Sequence, residues 1–345
     1  MADEQTERNE VAWYYDAVTT VSRTFALTID ELREPMTREI CLGYLLCRIA
    51  DTVEDARHIP PGDRVQLLET YSRTLDPDDE TSVEAFRTAV EPWIPEEPSD
   101  DWDVVARAPE AVAEFDALPA ASRDVIRPSI RELVDGMATF VERYADTGGL
   151  RLQSFEELES YCWYVAGTVG EFVTTLLLED VDPAQRDSFR EDAESFALLL
   201  QLVNVAKDVA TDYRTERNVY APQELLTDEG LEPADIADTS SGAAFAPIIT
   251  QIVERAEQYL DGAQSWLETM PEVRGNTRSA WAIPFLLAVG TIRELKANPE
   301  AVIEEGGVTV SRREVLAVRA RFADGNEPDI EALRRQMRQA PLGDS

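Results

Sequence analysis

Two stretches carry acids at a spacing that does chemistry: Asp51-Thr52-Val53-Glu54-Asp55 and Asp208-Val209-Ala210-Thr211-Asp212. On a helix, residues four apart share one face, one turn from each other. Two carboxylates held so close repel, and four would repel strongly. Divalent cations relieve that repulsion, and hard oxygen ligands suit Mg²⁺, which completes its shell with water and substrate phosphate oxygens. The residues therefore suggest a pocket that grips a diphosphate through metal.

What precedes each pair argues against a solvated helix face. Stepping back from Asp51 in helical turns gives Cys47/Arg48, Tyr44 and Ile40; from Asp208 it gives Asn204, Leu200 and Phe196/Ala197. Both pairs thus prolong core-facing stripes, where an unpaired carboxylate is costly. Asp and Glu make up 68 of 345 residues, so single D-x-x-x-D spacings arise by accident. Two that each end an apolar stripe and sit beside a basic residue, Arg48 or Lys207, are harder to dismiss.

These acids need long helices to carry them. Helices are expected at 11–20, 35–55, 64–74, 81–91, 102–115 and 119–145, then from Ser154, at 183–213, 245–270, 277–297 and 311–320. Ser154, with Glu157 three residues on, forms a capping-box pattern. The helix it opens contains Gly167 and Gly170, whose interior cost of ~2 kcal/mol calls for close approach by a ligand or a neighbouring helix. His58-Ile59-Pro60-Pro61-Gly62-Asp63 reads as a loop. Residues 76–80 and Pro92–Asp101 read as acidic, proline-bearing surface linkers. No strand alternation is convincing, so the class is all-α, one helical bundle over residues 11–320 around a central hydrophobic cavity. Residues 1–10 are expected to be disordered. Residues 321–345 read as a polar tail with a helical turn at 329–339.

Composition narrows the partners. A formal charge of −36 disfavours nucleic acid. Only two lysines occur, Lys207 and Lys296, and the other 30 basic residues are arginines. Acid excess with so little lysine reads as adaptation to high salt, which screens the self-repulsion. A hydrophobic share of 44%, six tryptophans and eleven phenylalanines exclude an acidic disordered chain. Cys41, Cys47 and Cys162 form no C-x-x-C pair and read as small buried hydrophobes in a reducing cytoplasm. There is no signal peptide at the start and no apolar run of membrane-spanning length. The expected location is the cytoplasm, with peripheral membrane contact the one association a greasy substrate and product would ask for.

Several blocks, in order, resemble the squalene and phytoene synthase family. They are Ser22-Arg23-Thr24-Phe25; Tyr44 through Arg48 to Asp51-Thr-Val-Glu-Asp55; Tyr161-Cys-Trp-Tyr164-Val-Ala-Gly-Thr-Val-Gly170; Leu200-Gln201 through Asn204 and Lys207 to Asp212; and Arg217-Asn-Val-Tyr220-Ala-Pro222. The likeness runs over about residues 13 to 295. It implies an isoprenoid-synthase-type all-α fold and head-to-head condensation of two prenyl diphosphates with Mg²⁺. Carried over, Asp51 and Asp55 would hold metal on one diphosphate, Asp208 and Asp212 on the other. Arg23, Arg48, Lys207 and Arg217 would contact diphosphate oxygens, Gln201 and Asn204 would line the metal-proximal wall, and Tyr44 and Tyr161 the reacting centre. Trp163 and Tyr164 are further aromatic candidates. Plain core packing is the competing reading of all four rings, and it is favoured for Trp163. Lys207 stands where most squalene synthases have arginine, so a fork becomes a point contact. Glu54 is expected beside the metal ligands or in solvent, and His58 at the surface.

Within the family, the forms of Ser22–Ala26 and Asp51–Asp55, together with Ala282-Ile283-Pro284, lean to the squalene synthase type. That type joins two farnesyl diphosphates and reduces the product with NADPH. The aromatic usual two residues before Ala-Ile-Pro is Ala280 here, with Trp281 beside it. The alternatives are a phytoene synthase, joining two geranylgeranyl diphosphates without reduction, and a family-like scaffold without catalysis. Both intact acid pairs count against the scaffold.

Overall fold

The computed structural model describes residues 13–323 and 328–343. The segment 1–10 lies outside them. The described chain packs as two compact units, the first built from residues up to 145 with 171–180 and 271–280, the second from 146–170, 181–270 and 281 onward. Among the described residues there is no strand, only an isolated parallel bridge between Arg151 and Val219.

The first unit contains α1 (13–21), α2 (Arg23–Glu31), α3 (Met36–Glu54), α4 (Pro61–Thr74), α5 (Val83–Val90), α6 (Asp100–Ala106), α7 (Ala108–Asp116) and α8 (Ala120–Arg143). Helix α3 is its axis, packed on α4, α6, α7 and α8. Ile40, Cys41, Leu42, Leu45, Leu46, Ile49, Ala50 and Val53 are all buried, so apolar contact surrounds most of the helix. Its one interior glycine allows that packing: a Cβ at Gly43 would stand 3.1 Å from the Phe172 ring. The expected helix 102–115 is two helices that break at Arg107. Pro109 explains the break, because proline lacks a donor and disfavours helical backbone at the residue before it.

The second unit contains α9 (Phe155–Cys162), part of α10 (Thr168–Leu177), α11 (Arg186–Thr215), α12 (Gln223–Asp228), α13 (Gly242–Glu257), α14 (Leu260–Thr269), most of α15 (Arg278–Ala297), α16 (Ala301–Glu304), α17 (Arg312–Phe322) and α18 (Ile330–Gln339). Helix α11, 30 residues long, is its axis, packed on α13 and α14. Trp266 anchors the core beside it, stacked on Phe189 at 5.8 Å, tilted on Phe196 at 4.5 Å and edge-on to Trp281 at 5.8 Å. Each such ring pair adds about 0.5–1.5 kcal/mol beyond its buried area. The expected polar tail is more structured than its composition suggests. Helix α18 buries Ile330, Leu333 and Met337, a stripe at i, i+3 and i+7 that a charged sequence conceals.

Ser154 caps α9 as expected, accepting from the Glu157 N–H at 3.2 Å, while Glu157 reaches the Gln153 N–H at 2.7 Å. Between α9 and α10 the helix widens into a π-turn, Trp163–Gly167. Such turns concentrate at functional sites. Here it lets the Trp163 ring fold onto Gly167, where a Cβ would lie 2.3 Å from the indole. Gly170 meets Ala197 and the Ala193 carbonyl of α11, 3.2 and 3.3 Å from an ideal Cβ. Gly170 thus has the neighbouring helix the sequence called for, whereas Gly167 makes room for a ring of its own turn. Gly167→Ala gains at most about 1 kcal/mol of helix propensity. It also drives a methyl into a fixed ring, which costs about 1–3 kcal/mol. A lowered urea midpoint is expected, and an unchanged midpoint would show that the indole moves freely.

The three cysteines are buried and unpaired. Burial pushes the Cys41 and Cys47 thiols up to about 12, far from reactive thiolates. Among the described residues no helix is long and apolar enough to cross a membrane.

Candidate functional site

In the first unit, α3 delivers Tyr44, Arg48 and Asp51, and Asp55 caps its carboxyl end, its N–H donating to the Asp51 carbonyl at 3.0 Å. Arg48 bonds Asp51 through Nη1 and Asp101 through Nε at 2.8 Å. The Asp51 side chain stays 33% exposed, so it remains reachable by a ligand. Burial pushes its carboxyl above the usual carboxylate range, Arg48 opposes the rise, and Asp101 adds to it. Asp101 was read as surface linker. Ser99 caps α6 by accepting from the Trp102 N–H at 3.4 Å, which places Asp101 in the helix's first turn beside Arg48. A Ser followed by acids was the available signal.

The Ser22–Phe25 block serves the same face. Ser22 caps α2, accepting from the Phe25 N–H at 3.2 Å, and burial raises the pKa of Tyr44 while the nearby Ser22 hydroxyl opposes the rise. Phe25 stacks on the Tyr44 ring at 4.2 Å. The side chain of Arg23 lies outside the described part of the structure. Of the two places expected for Glu54, beside the metal ligands or in solvent, the second is excluded. The residue is buried, and Arg64, which also donates to the Glu54 carbonyl, supplies the nearby positive charge. His58 is at the surface as expected, with Nε2 2.7 Å from the Trp93 carbonyl.

In the second unit, α11 carries Gln201, Asn204, Lys207, Asp208 and Asp212 in successive turns. Gln201 is half-buried and Asn204 exposed. Lys207 is paired with Asp208. Asp212 is half-buried, and its carboxyl is pushed up to about 8 by burial, then by Glu216 and Asp208, with Lys207 opposing. Tyr161 is buried, its hydroxyl 3.3 Å from that of Tyr220, which accepts from the Asn218 amide at 3.1 Å. The turn at Gly306-Gly307 was not foreseen here. Gly306 accepts from the Thr211 hydroxyl at 2.7 Å, and an ideal Cβ at Gly307 would sit 3.9 Å from Asp208 Oδ1. The glycine pair marked a turn in the sequence, and its placement against α11 is tertiary.

Among the described residues no three His, Cys, Asp or Glu side chains stand close enough to hold an ion unaided. Mg²⁺ asks for less, one or two carboxylates with water and phosphate oxygens completing its shell. The donor chemistry fits: an acid pushed up to about 8 by burial, and further by Glu216 and Asp208, is one whose charge a divalent cation would stabilise.

Helices α1–α18, two of them carrying the acid pairs, are the architecture of the isoprenoid-synthase class. The chain superposes on TcSQS bound to the ligand BPH1237 with a TM-score of 0.75 at 22% identity, covering 96% of this chain and 98% of that one. It superposes on a dehydrosqualene synthase in complex with ligand with a TM-score of 0.57 at 16% identity, over 97% of each chain. The squalene/phytoene synthase family model matches residues 18–314, and the chain belongs to that family. It is 26% identical over 301 residues to the squalene synthase of Eremothecium gossypii, covering 86% of this chain but 65% of that protein. It is 24% identical over 323 residues to the presqualene diphosphate synthase of Botryococcus braunii, covering 92% of this chain and 73% of that protein. The chain therefore spans about two thirds, or less, of the length of the squalene synthases it matches most strongly.

Proposed function

We propose that this protein is a prenyltransferase of the squalene synthase type. It condenses two farnesyl diphosphates head to head to presqualene diphosphate with Mg²⁺, then reduces that product to squalene with NADPH. The observation that supports this most is that each acid pair has a basic residue bonded to its first aspartate: Arg48 to Asp51 and Lys207 to Asp208. A cation bonded to a metal-binding carboxylate is placed to take the diphosphate that arrives with the metal.

Asp51 and Asp55 would hold Mg²⁺ for one diphosphate, and Asp208 and Asp212 for the other. Bound Mg²⁺ supplies charge neutralisation on the departing diphosphate, which is where negative charge grows in the transition state. Arg48, Lys207, Arg217 and Arg23 add donors to the same oxygens, and Gln201 and Asn204 flank them. The allylic cation left behind needs a dry, aromatic surround. Tyr44 is held for that task by Phe25, and Tyr161 by Tyr220. The reductive half rests on the motif likeness to squalene synthases and on the names of its relatives, and no residue is assigned to hydride transfer. High-salt adaptation, a cytoplasmic location and peripheral membrane contact belong to the same reading.

Purified protein in molar salt with farnesyl diphosphate, Mg²⁺ and NADPH is expected to yield squalene, and without NADPH to stop short of it. Chelating Mg²⁺ is expected to abolish both steps. Turnover of geranylgeranyl diphosphate alone would move the reading to a phytoene synthase, and no turnover of either substrate would leave a scaffold.

A further inference from the structure

The chain places a second arginine beside Arg217. The segments 149–152 and 217–223 run together: Leu150 donates to the Asn218 side-chain carbonyl at 2.9 Å, Val219 to the Leu150 carbonyl at 3.0 Å, and Gln223 to the Leu152 carbonyl at 2.8 Å. The first bond fixes the Asn218 amide, which is 5% exposed, so that its NH₂ faces Tyr220. Gly149 permits the contact, since a Cβ there would lie 2.5 Å from the Arg217 carbonyl oxygen. Arg217 itself has φ 63°, a left-handed conformation that costs a non-glycine residue energy. The Arg151 guanidinium holds that peptide, donating from Nη1 to the carbonyls of Leu150 at 2.6 Å and Arg217 at 2.5 Å.

The juxtaposition is electrostatically unfavourable. Burial lowers the pKa of Arg151 and the Arg217 charge lowers it further, with Tyr213 opposing. The Arg217 guanidinium lies 5.0 Å from the Tyr213 ring. Among the described residues neither arginine has a carboxylate ion-pair partner, in a chain with 68 acids and 32 basic residues. Asp212 is five residues before Arg217, and the Arg217 N–H caps the end of α11 on the Tyr213 carbonyl at 3.1 Å. Two arginines tied by a side-chain-to-backbone bond, their charges within electrostatic reach and neither ion-paired to an acid, five residues past a proposed metal ligand, suit an anion that is not part of the protein.

We propose that Arg151 is a diphosphate-binding residue that acts as a pair with Arg217, and that the Gly149 contact serves to bring the two backbone segments that carry them together. Arg151 has one nitrogen committed to the backbone carbonyls and keeps its remaining N–H groups for phosphate oxygens. The inference rests on the proposed function for the identity of the anion. The alternative source of a phosphate on this pair is the cofactor, and the test separates the two.

The test is calorimetric titration of the full chain in molar salt, first with inorganic diphosphate and Mg²⁺, then with NADPH. Arg151→Met keeps the aliphatic stem and removes the charge. It is expected to weaken diphosphate binding about tenfold or more and leave NADPH binding unchanged. It is also expected to flatten the dependence of diphosphate affinity on salt, which a purely structural loss would not do. Arg151→Lys restores a charge and one donor, and is expected to recover part of the affinity. Unchanged diphosphate binding in Arg151→Met overturns the proposal while leaving the proposed function standing. So does a loss confined to NADPH, or a loss that Lys does not relieve and that tracks a fall in melting temperature. A wild-type chain that binds no diphosphate overturns both. Arg151-dependent diphosphate binding without any prenyl turnover supports the proposal and removes only the proposed function.

Discussion

Replacing Asp51 or Asp208 with asparagine is expected to lower condensation about a hundredfold to a thousandfold while the helices and the melting transition survive. Asparagine matches aspartate in size but has no charge with which to hold Mg²⁺. Losing one preorganised charge contact to a developing oxyanion costs about 3–4 kcal/mol of transition-state stabilisation. The structural cost is small by comparison. Asp51 is 33% exposed and its partner Arg48 keeps Asp101, so breaking the pair removes about 1 kcal/mol or less. Steady-state turnover set beside a urea melt decides the matter, and wild-type rates in either variant would remove the metal assignment.

Asp212→Asn is expected to change stability in opposition to activity as pH rises. The folded Asp212 carboxyl is held up to about 8, above its unfolded value, so the native state binds that proton more tightly than the unfolded chain does. Ionising it therefore costs stability. The cost is absent below the ordinary carboxylate range, grows as pH rises through that range, and is complete above about pH 8. Asparagine carries no such cost. The variant is expected to unfold like wild type in acid and to be the more stable of the two at pH 8 and above, while losing turnover. A variant that is less stable at every pH would show that Asp212 is a structural acid.

The acid pairs were legible because both members of each lie on one helix, where spacing alone fixes a shared face. The same local logic found the Ser154 cap, and it called for a close neighbour at Gly170, which α11 supplies. What stayed hidden depends on partners far along the chain. Asp101 meets Arg48 across 53 residues, and Arg151 meets Arg217 across 66. Nothing in the local pattern of either segment names the other. The break between α13 and α14 at Gln258 and Tyr259 has no glycine or proline to announce it, and an unbroken helix over 245–270 was the natural reading. The burial of α18 was masked differently: its exposed faces are so charged that composition outweighed a three-residue apolar stripe.

The second large effect is on stability, and it comes from the amino end of the helix that carries Asp51. Glu39, in the first turn of α3, has a side chain 1% exposed. Arg274 Nη2 meets its Oε1 at 2.7 Å and the Ser122 hydroxyl donates to the same oxygen, while Oε2 has no hydrogen-bond partner. Arg274 also holds backbone: its Nη1 donates to the Leu176 carbonyl at 3.0 Å and its own carbonyl accepts from Met36 at 3.2 Å. Arg274→Met would leave a buried carboxylate with one neutral donor. Removing one partner of a buried pair costs about 3–5 kcal/mol, and the 37% exposure of Arg274 points to the lower end. Glu39→Gln in the same chain removes the stranded charge but keeps an acceptor for Ser122, so the double variant is expected to recover much of that loss. Urea midpoints of the four chains measure the coupling. A cost under about 1 kcal/mol for Arg274→Met, or strict additivity in the double variant, would mean water already serves Glu39. Asp51 lies 12 residues further along α3, about 18 Å away at helical rise. Turnover per folded molecule should therefore stay near wild type in Arg274→Met, the reverse of the asparagine variants, which keep the fold and lose the chemistry.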